Sequence, residues 1–149
     1  MASYKRYKGI KGDFWTVFSQ YIRLRDWVFY GTCISCGSHL ESWKYADCGH
    51  FIAAGHCGFD LLFDEKNNNL QCKHCNNPMW SPDSGAFYAE GLDRRYGKGT
   101  ANRLITRYRA HKDRGVVTKE WTKQEYEKKI KLYQRRINTL CKKYGIVIS

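Results

Sequence analysis

No run of eighteen apolar residues occurs in the chain, so no transmembrane helix is expected. The opening Met1-Ala2-Ser3-Tyr4-Lys5-Arg6 has no apolar stretch behind it and does not read as a signal peptide. A cytoplasmic protein is therefore expected. Internal repeats and low-complexity tracts are missing too. Acidic residues are scarce in one half: residues 94–149 hold 17 Lys and Arg against 4 Asp and Glu, whereas residues 1–93 hold 9 against 10. The whole excess of positive charge is C-terminal, which favours a polyanion such as nucleic acid as partner over a merely solvated helix surface. Proline is rare, with only Pro78 and Pro82, and both interrupt residues 76–85.

Cysteine, by contrast, is plentiful, with 7 in 149 residues. A disulfide framework does not suit the cytoplasm, and the spacing points to metal. Cys33-Ile34-Ser35-Cys36 and Cys72-Lys73-His74-Cys75 are two Cys-x-x-Cys turns. Each turn presents two thiolates along one edge of a tetrahedron, and the pair completes a structural Zn²⁺ site. Such a cross-link helps a small domain with a thin core to fold. Cys48, His56 and Cys57 are left over. With His50 they offer a second zinc site, although Cys48 and Cys57 read better as small buried hydrophobes. Cys141 reads as core, and His39, His74 and His111 as surface.

The periodicity predicts four helices. The first runs from an Asp13 cap to about Tyr30. Others are capped by Ser84 and Thr100 and reach about Tyr96 and His111. The last opens on the capping box Thr122-Lys123-Gln124-Glu125 and stops at Gly145. Its apolar stripe runs from Tyr126 through Tyr133 and Ile137 to Tyr144, and it can pack within the chain or across a dimer. Residues 1–12 read as loosely ordered. Ser42–Ala46 and Leu61–Phe63 read as strand-like pieces between the knuckles. The fold class is α+β in three parts: a basic arm and helix at 1–30, a zinc-bound core at 31–85 and a basic helical region at 86–149.

Phosphodiester cleavage needs a base to activate water and a cation to stabilise the leaving oxygen. A histidine neutral near pH 7 suits the first task, and hard oxygen ligands for Mg²⁺ suit the second. His50 ends an apparent strand between the knuckles, Asp47 precedes it, and Asn76 follows the last cysteine. Taken alone, His50 reads as a satisfied buried histidine and Asp47 as a turn cap or an orienter of His50. The bracketing knuckles favour a catalytic pair instead. Arg94, Arg95, Lys98, Arg103, Arg107, Arg109 and Lys112 recur along two short helices as the expected DNA grip. Tyr96 and Tyr108 lie among them, for base stacking or for the core.

His50, Asn67 and Asn76 resemble the HNH, or His-Me finger, nuclease motif. The match is closest to the phage NinG/Rap recombination endonuclease family. It rests on Phe18–Asp26, Cys33–Gly37, Asp47–Phe51, Phe63–Asn67 and Gln71–Asn76, and covers about residues 14–110. The resemblance implies a zinc-stabilised ββα-metal core, treble-clef-like, flanked by helices. It implies a metal-dependent endonuclease for Holliday junctions and other branched DNA, in the bacterial host cytoplasm. His50 would be the general base, Asn67 a loop brace, and Asn76 a ligand of Mg²⁺ or Mn²⁺. Two positions depart from the pattern. Gly49 stands where a metal-binding Asp is expected, and Gly85-Ala86 replaces a Gly-Asn pair. Asp47, about 6–7 Å away on the same side of a strand, is the substitute ligand. Symmetric cutting of a four-way junction needs two sites, hence a homodimer. The alternatives are a non-catalytic zinc DNA-binding protein and a sequence-specific HNH endonuclease.

Overall fold

The computed structural model describes residues 6–148. The described chain is α+β: five α-helices and one two-stranded sheet. Helix α1 spans Gly9–Phe29, α2 Phe59–Leu62, α3 Ser84–Tyr96, α4 Thr100–Arg114 and α5 Lys123–Tyr144. Strand β1, Asp47–His50, pairs antiparallel with β2, Asn68–Gln71, with His50 opposite Asn68 and Asp47 opposite Gln71. No helix among the described residues is long and apolar enough to cross a membrane.

Several boundaries differ from the sequence expectation. Helix α1 begins before Asp13, because Ile10 extends the apolar stripe by one turn and packs against the main core. Ser42–Ala46 is not a strand. The Ser42 hydroxyl accepts from the Lys44 N–H, and this local bond turns Trp43–Tyr45 into a 3₁₀ helix. Leu61 and Leu62 lie on α2; a short apolar run fits a buried helical turn as well as a strand. Ser84 and Thr100 are the first helical residues, preceded by Asp83 and Gly99 as caps. The capping box of α5 forms as read: the Thr122 hydroxyl accepts from Glu125 N, and Glu125 accepts from Thr122 N.

Helix α5 packs along α1 in the same chain. Phe14 meets Tyr126 and Tyr133 edge-on or tilted, and Phe18 and Tyr21 both meet Tyr133. Trp121 closes the same aromatic cluster against Phe14, Phe59 and Phe63. The apolar stripe of α5 is thereby used within one chain.

A buried polar staple joins α1 to the sheet. Asp26 is fully buried; its carboxylate accepts from Leu70 N at 2.8 Å and pairs with Arg25 at 2.7 Å. Arg25 also donates to the carbonyls of Glu65 and Asn68. Such a pair is stable only when its remaining hydrogen-bonding capacity is satisfied, and here backbone groups on both sides satisfy it. Helix α3 completes the frame. A side chain at Gly91 would collide with the Ile34 carbonyl, so glycine lets α3 lie directly on the first knuckle.

Candidate metal centre and histidine site

The two knuckles converge. The Sγ atoms of Cys33, Cys36, Cys72 and Cys75 all lie within 4.8 Å of one another, and Cys36 and Cys72 are 3.9 Å apart. Zn–S bonds of about 2.3 Å in a tetrahedron put sulfurs about 3.8 Å apart, so this set fits zinc. Backbone amides are aimed inward: Cys72 N donates to Cys33 Sγ at 3.3 Å and Cys75 N to Cys72 Sγ at 3.4 Å. Burial raises the Cys36 thiol, but hydrogen bonds with Ser38 and the neighbouring thiols bring it down to about 7. Among the described residues no other group of three Cys, His or acidic side chains clusters in this way. Cys48 and Cys57 are buried hydrophobes, and burial pushes their thiols up to about 12 and about 11. The second zinc site is thus not assembled.

His50 closes β1 with its ring held on both sides. Its Nε2 lies 2.9 Å from the Leu62 carbonyl, and its face stacks on Trp15 at 5.4 Å and 15°. A carbonyl only accepts, so Nε2 carries the proton and Nδ1 keeps a lone pair. Burial, opposed by the Leu62 hydrogen bond, brings the pKa down to about 4. The ring is a neutral base at pH 7.

Asn67 is fully buried and ties the segment between the strands together. Its carboxamide accepts from Ile52 N at 2.8 Å and donates to the Ile52 and Leu61 carbonyls. Leu61 is one residue from the carbonyl that holds His50, so Asn67 stabilises the support of that ring.

Asp47 and Asn76 come together at the other end of β1. Asn76 Nδ2 donates to Asp47 Oδ2 at 3.1 Å, and Lys73 Nζ pairs with Asp47 Oδ1 at 2.7 Å. The departure at Gly49 has a steric cause. A Cβ there would collide with Gln71 Oε1 and lie 3.0 Å from Asn76 Oδ1. Gln71 is buried and anchored by donating to Ser35 Oγ and the Cys75 carbonyl. Sequence reading missed Gln71, and also Trp15 beneath His50. The only signal for Gln71 was its place beside Cys72. The phenol of Tyr88 then fixes Gly49 from α3, donating to its carbonyl at 2.6 Å.

A groove of about 710 Å³ is lined by Asp47, Asn76, Lys73, Arg23 and Lys44, and by Trp15 at its edge. Oxygen-bearing and cationic side chains thus share one concave surface, and the imidazole of His50 lies behind the Trp15 ring at its edge.

The expected grip residues divide. Arg94, Lys98, Arg103, Arg109 and Lys112 are exposed. Arg107 is partly exposed but bonded to Asp64 at 2.8 Å and Asp60 at 3.4 Å. Arg95 departs from the expectation: it is turned inward, donates to the Thr32 carbonyl and hydroxyl, and lies 4.1 Å over the Tyr30 ring. Its aliphatic and polar reach is used to hold α3 to the first knuckle. Tyr96 and Tyr108 pack against the main core, and Tyr96 donates to Asn69. His39 and His74 are exposed as read, whereas His111 is half-buried over Gly58.

No curated protein and no solved structure matches this chain. The family model described as Bacteriophage Lambda NinG protein matches residues 2–143, well beyond the segment whose motifs carry the resemblance, and the chain therefore belongs to the NinG family.

Proposed function

We propose that this protein is a metal-dependent DNA endonuclease of the HNH, or His-Me finger, type that acts on Holliday junctions and other branched DNA. The observation that carries this reading is the state of His50: its Nε2 proton is engaged by Leu62, which leaves Nδ1 the basic nitrogen, and its ring stacks on Trp15, a wall of the groove that holds Asp47, Asn76 and three cations.

In this reading the four thiolates hold Zn²⁺ and set β1, β2 and the turn after Cys75 in register. Asp47 and Asn76 would hold Mg²⁺ or Mn²⁺, and the ion would supply positive charge to stabilise the leaving 3′ oxygen. His50 Nδ1 takes the proton of the attacking water. Leu62 keeps the opposite nitrogen protonated, and the imidazolium formed is stabilised by that bond. Lys73, Lys44 and Arg23 balance the charge of the phosphate in the groove. Exposed cations on α3 and α4 hold flanking duplex without reading bases. Two such sites on a homodimer would cut a four-way junction symmetrically.

The test uses synthetic four-way junctions, flaps and linear duplex with Mg²⁺ or Mn²⁺. Wild-type protein should cut the branched substrates, leaving 5′ phosphate and 3′ hydroxyl ends, and His50→Ala should cut them at least about 100-fold more slowly. Equal cutting by both removes His50 as the base. Binding without cutting under every metal favours the non-catalytic zinc protein, and cutting of linear duplex at one motif favours the sequence-specific enzyme.

A further inference from the structure

The turn that follows Asn76 carries the largest exposed hydrophobic side chains near the groove. Met79 is 90% exposed and Trp80 62%. Exposing two adjacent large apolar groups without a partner is unfavourable, and such a pair next to a site marks a contact surface. This turn is well supported. Asn77 accepts through its carbonyl from Trp80 N at 3.0 Å and Ser81 N at 2.9 Å, and its side chain accepts from Met79 N at 3.0 Å. Trp80 stacks on His74 at 6.2 Å and 25°, and His74 lies inside the second knuckle. One face of the indole is therefore backed by the metal frame while much of the ring remains in solvent.

The occupant follows from what surrounds the turn. Lys73 precedes His74, and the cationic groove begins at Asn76, so any partner of this turn also meets positive charge. In a symmetric contact a second copy would set its own Lys73 and groove cations against these and meet like charge. Nucleic acid offers both complements, phosphate for the lysines and a π-face for the indole. In intact duplex the bases are stacked on each other; at a branch point the stack is interrupted and a π-face can be reached with less unstacking.

We infer that Met79 and Trp80 form a wedge that stacks on the bases flanking a DNA branch point, where the stack is interrupted, while the adjoining phosphate enters the groove at Asn76. The inference rests on the branched-DNA reading above and adds the element that distinguishes a branch from plain duplex.

The experiment places 2-aminopurine at the branch of a four-way junction and measures its fluorescence in Ca²⁺, with cleavage in Mg²⁺ measured separately. Wild-type protein should raise the fluorescence severalfold by unstacking the probe. The double variant Met79→Ala with Trp80→Ala should leave it near the free-DNA level. The variant should also bind the junction about fivefold or more weakly, the size of one lost base stack, while linear duplex binding changes less than about twofold. Trp80→Phe should keep most of the signal. Zinc content and circular dichroism equal to wild type establish that the variants are folded. An unchanged signal in the double variant overturns the wedge and leaves cleavage, and so the nuclease reading, standing. Wild-type protein that never raises the signal overturns it as well. Loss of a dimer in sedimentation, with the signal intact, makes the turn a protein contact and also overturns it. A fluorescence rise without cutting in any metal supports the wedge while the nuclease reading fails.

Discussion

Asn76 donates its amide to the carboxylate of Asp47 across 3.1 Å, at the end of the sheet where Asp47 faces Gln71. They are 29 residues apart in sequence. For both to bind one ion through oxygen, the carboxamide must turn its Oδ1 toward Asp47. Asn76→Ala should therefore raise the Mg²⁺ concentration for half-maximal cleavage by about tenfold, equivalent to roughly 1.4 kcal/mol of ligand energy. Lys73→Ala removes a competing cation from Asp47 and should lower that concentration. A metal titration that neither change shifts would rule out this ion site.

The pH dependence follows from His50. Its folded-state pKa is about 4, below the ordinary value of 6.5. Cleavage should therefore show no acid limb centred near 6.5, and the imidazole should titrate near 4 by NMR. Stability moves with the same group. The unfolded chain takes up a proton as pH falls through 6.5, whereas the folded chain does so only near 4. The contribution is complete above 6.5 and is lost as pH falls through this window, at up to about 1.4 kcal/mol per pH unit. Melting curves of wild type and His50→Gln should converge in their acid dependence if another group is responsible.

Gly49 gives a steric test. Gly49→Asp would restore the usual acidic residue of the nuclease pattern, but its Cβ collides with Gln71. The substitution should destabilise by about 1–3 kcal/mol, lowering Tm by roughly 2–4 °C per kcal/mol for a chain of this size. Adding Gln71→Ala should recover part of the loss. Full stability of the single variant would show that the space is open.

Metal removal should act on the fold before it acts on chemistry. One zinc per chain is expected by elemental analysis, and a strong chelator should collapse the cooperative thermal transition. Cys33→Ser or Cys72→Ser should abolish zinc uptake, whereas Cys48→Ser should leave it intact, since Cys48 lies outside the cluster. Zinc retained without Cys33 would contradict the assigned ligands.

The basic residues should separate by salt dependence. Arg109→Ala and Lys112→Ala, both exposed, should each reduce the slope of log K against log salt by about 1 for a phosphate contact. Arg95→Ala should instead lower Tm and leave that slope unchanged, because Arg95 is bonded to Thr32. A slope change in Arg95→Ala with normal stability would return it to the DNA grip.

What the sequence disclosed was mostly local. The capping box at Thr122 and Glu125 and the paired cysteines need only neighbours three residues apart, and both are found. The start of α1 lies before the expected Asp13 because packing of Ile10 outweighs the poor helix propensity of Gly9 and Gly12. Leu61 and Leu62 were ambiguous because period cannot be read from so short a run. The reason for Gly49 lay outside any local reading, since Gln71 reaches it only through strand pairing. Arg95 shows a similar limit: a charge count cannot tell which arginine of a basic run turns inward to Thr32.

The packing of α1 against α5 bears on how the chain is made. The first and last helices of the described chain share one aromatic core, with Phe14 and Phe18 against Tyr133. On the ribosome, the apolar face of α1 emerges more than a hundred residues before its partner. Until α5 follows, the core cannot close, and that face is open to aggregation or to a chaperone. Folding of this protein is therefore expected to complete late, after the zinc knuckles have already left the exit tunnel.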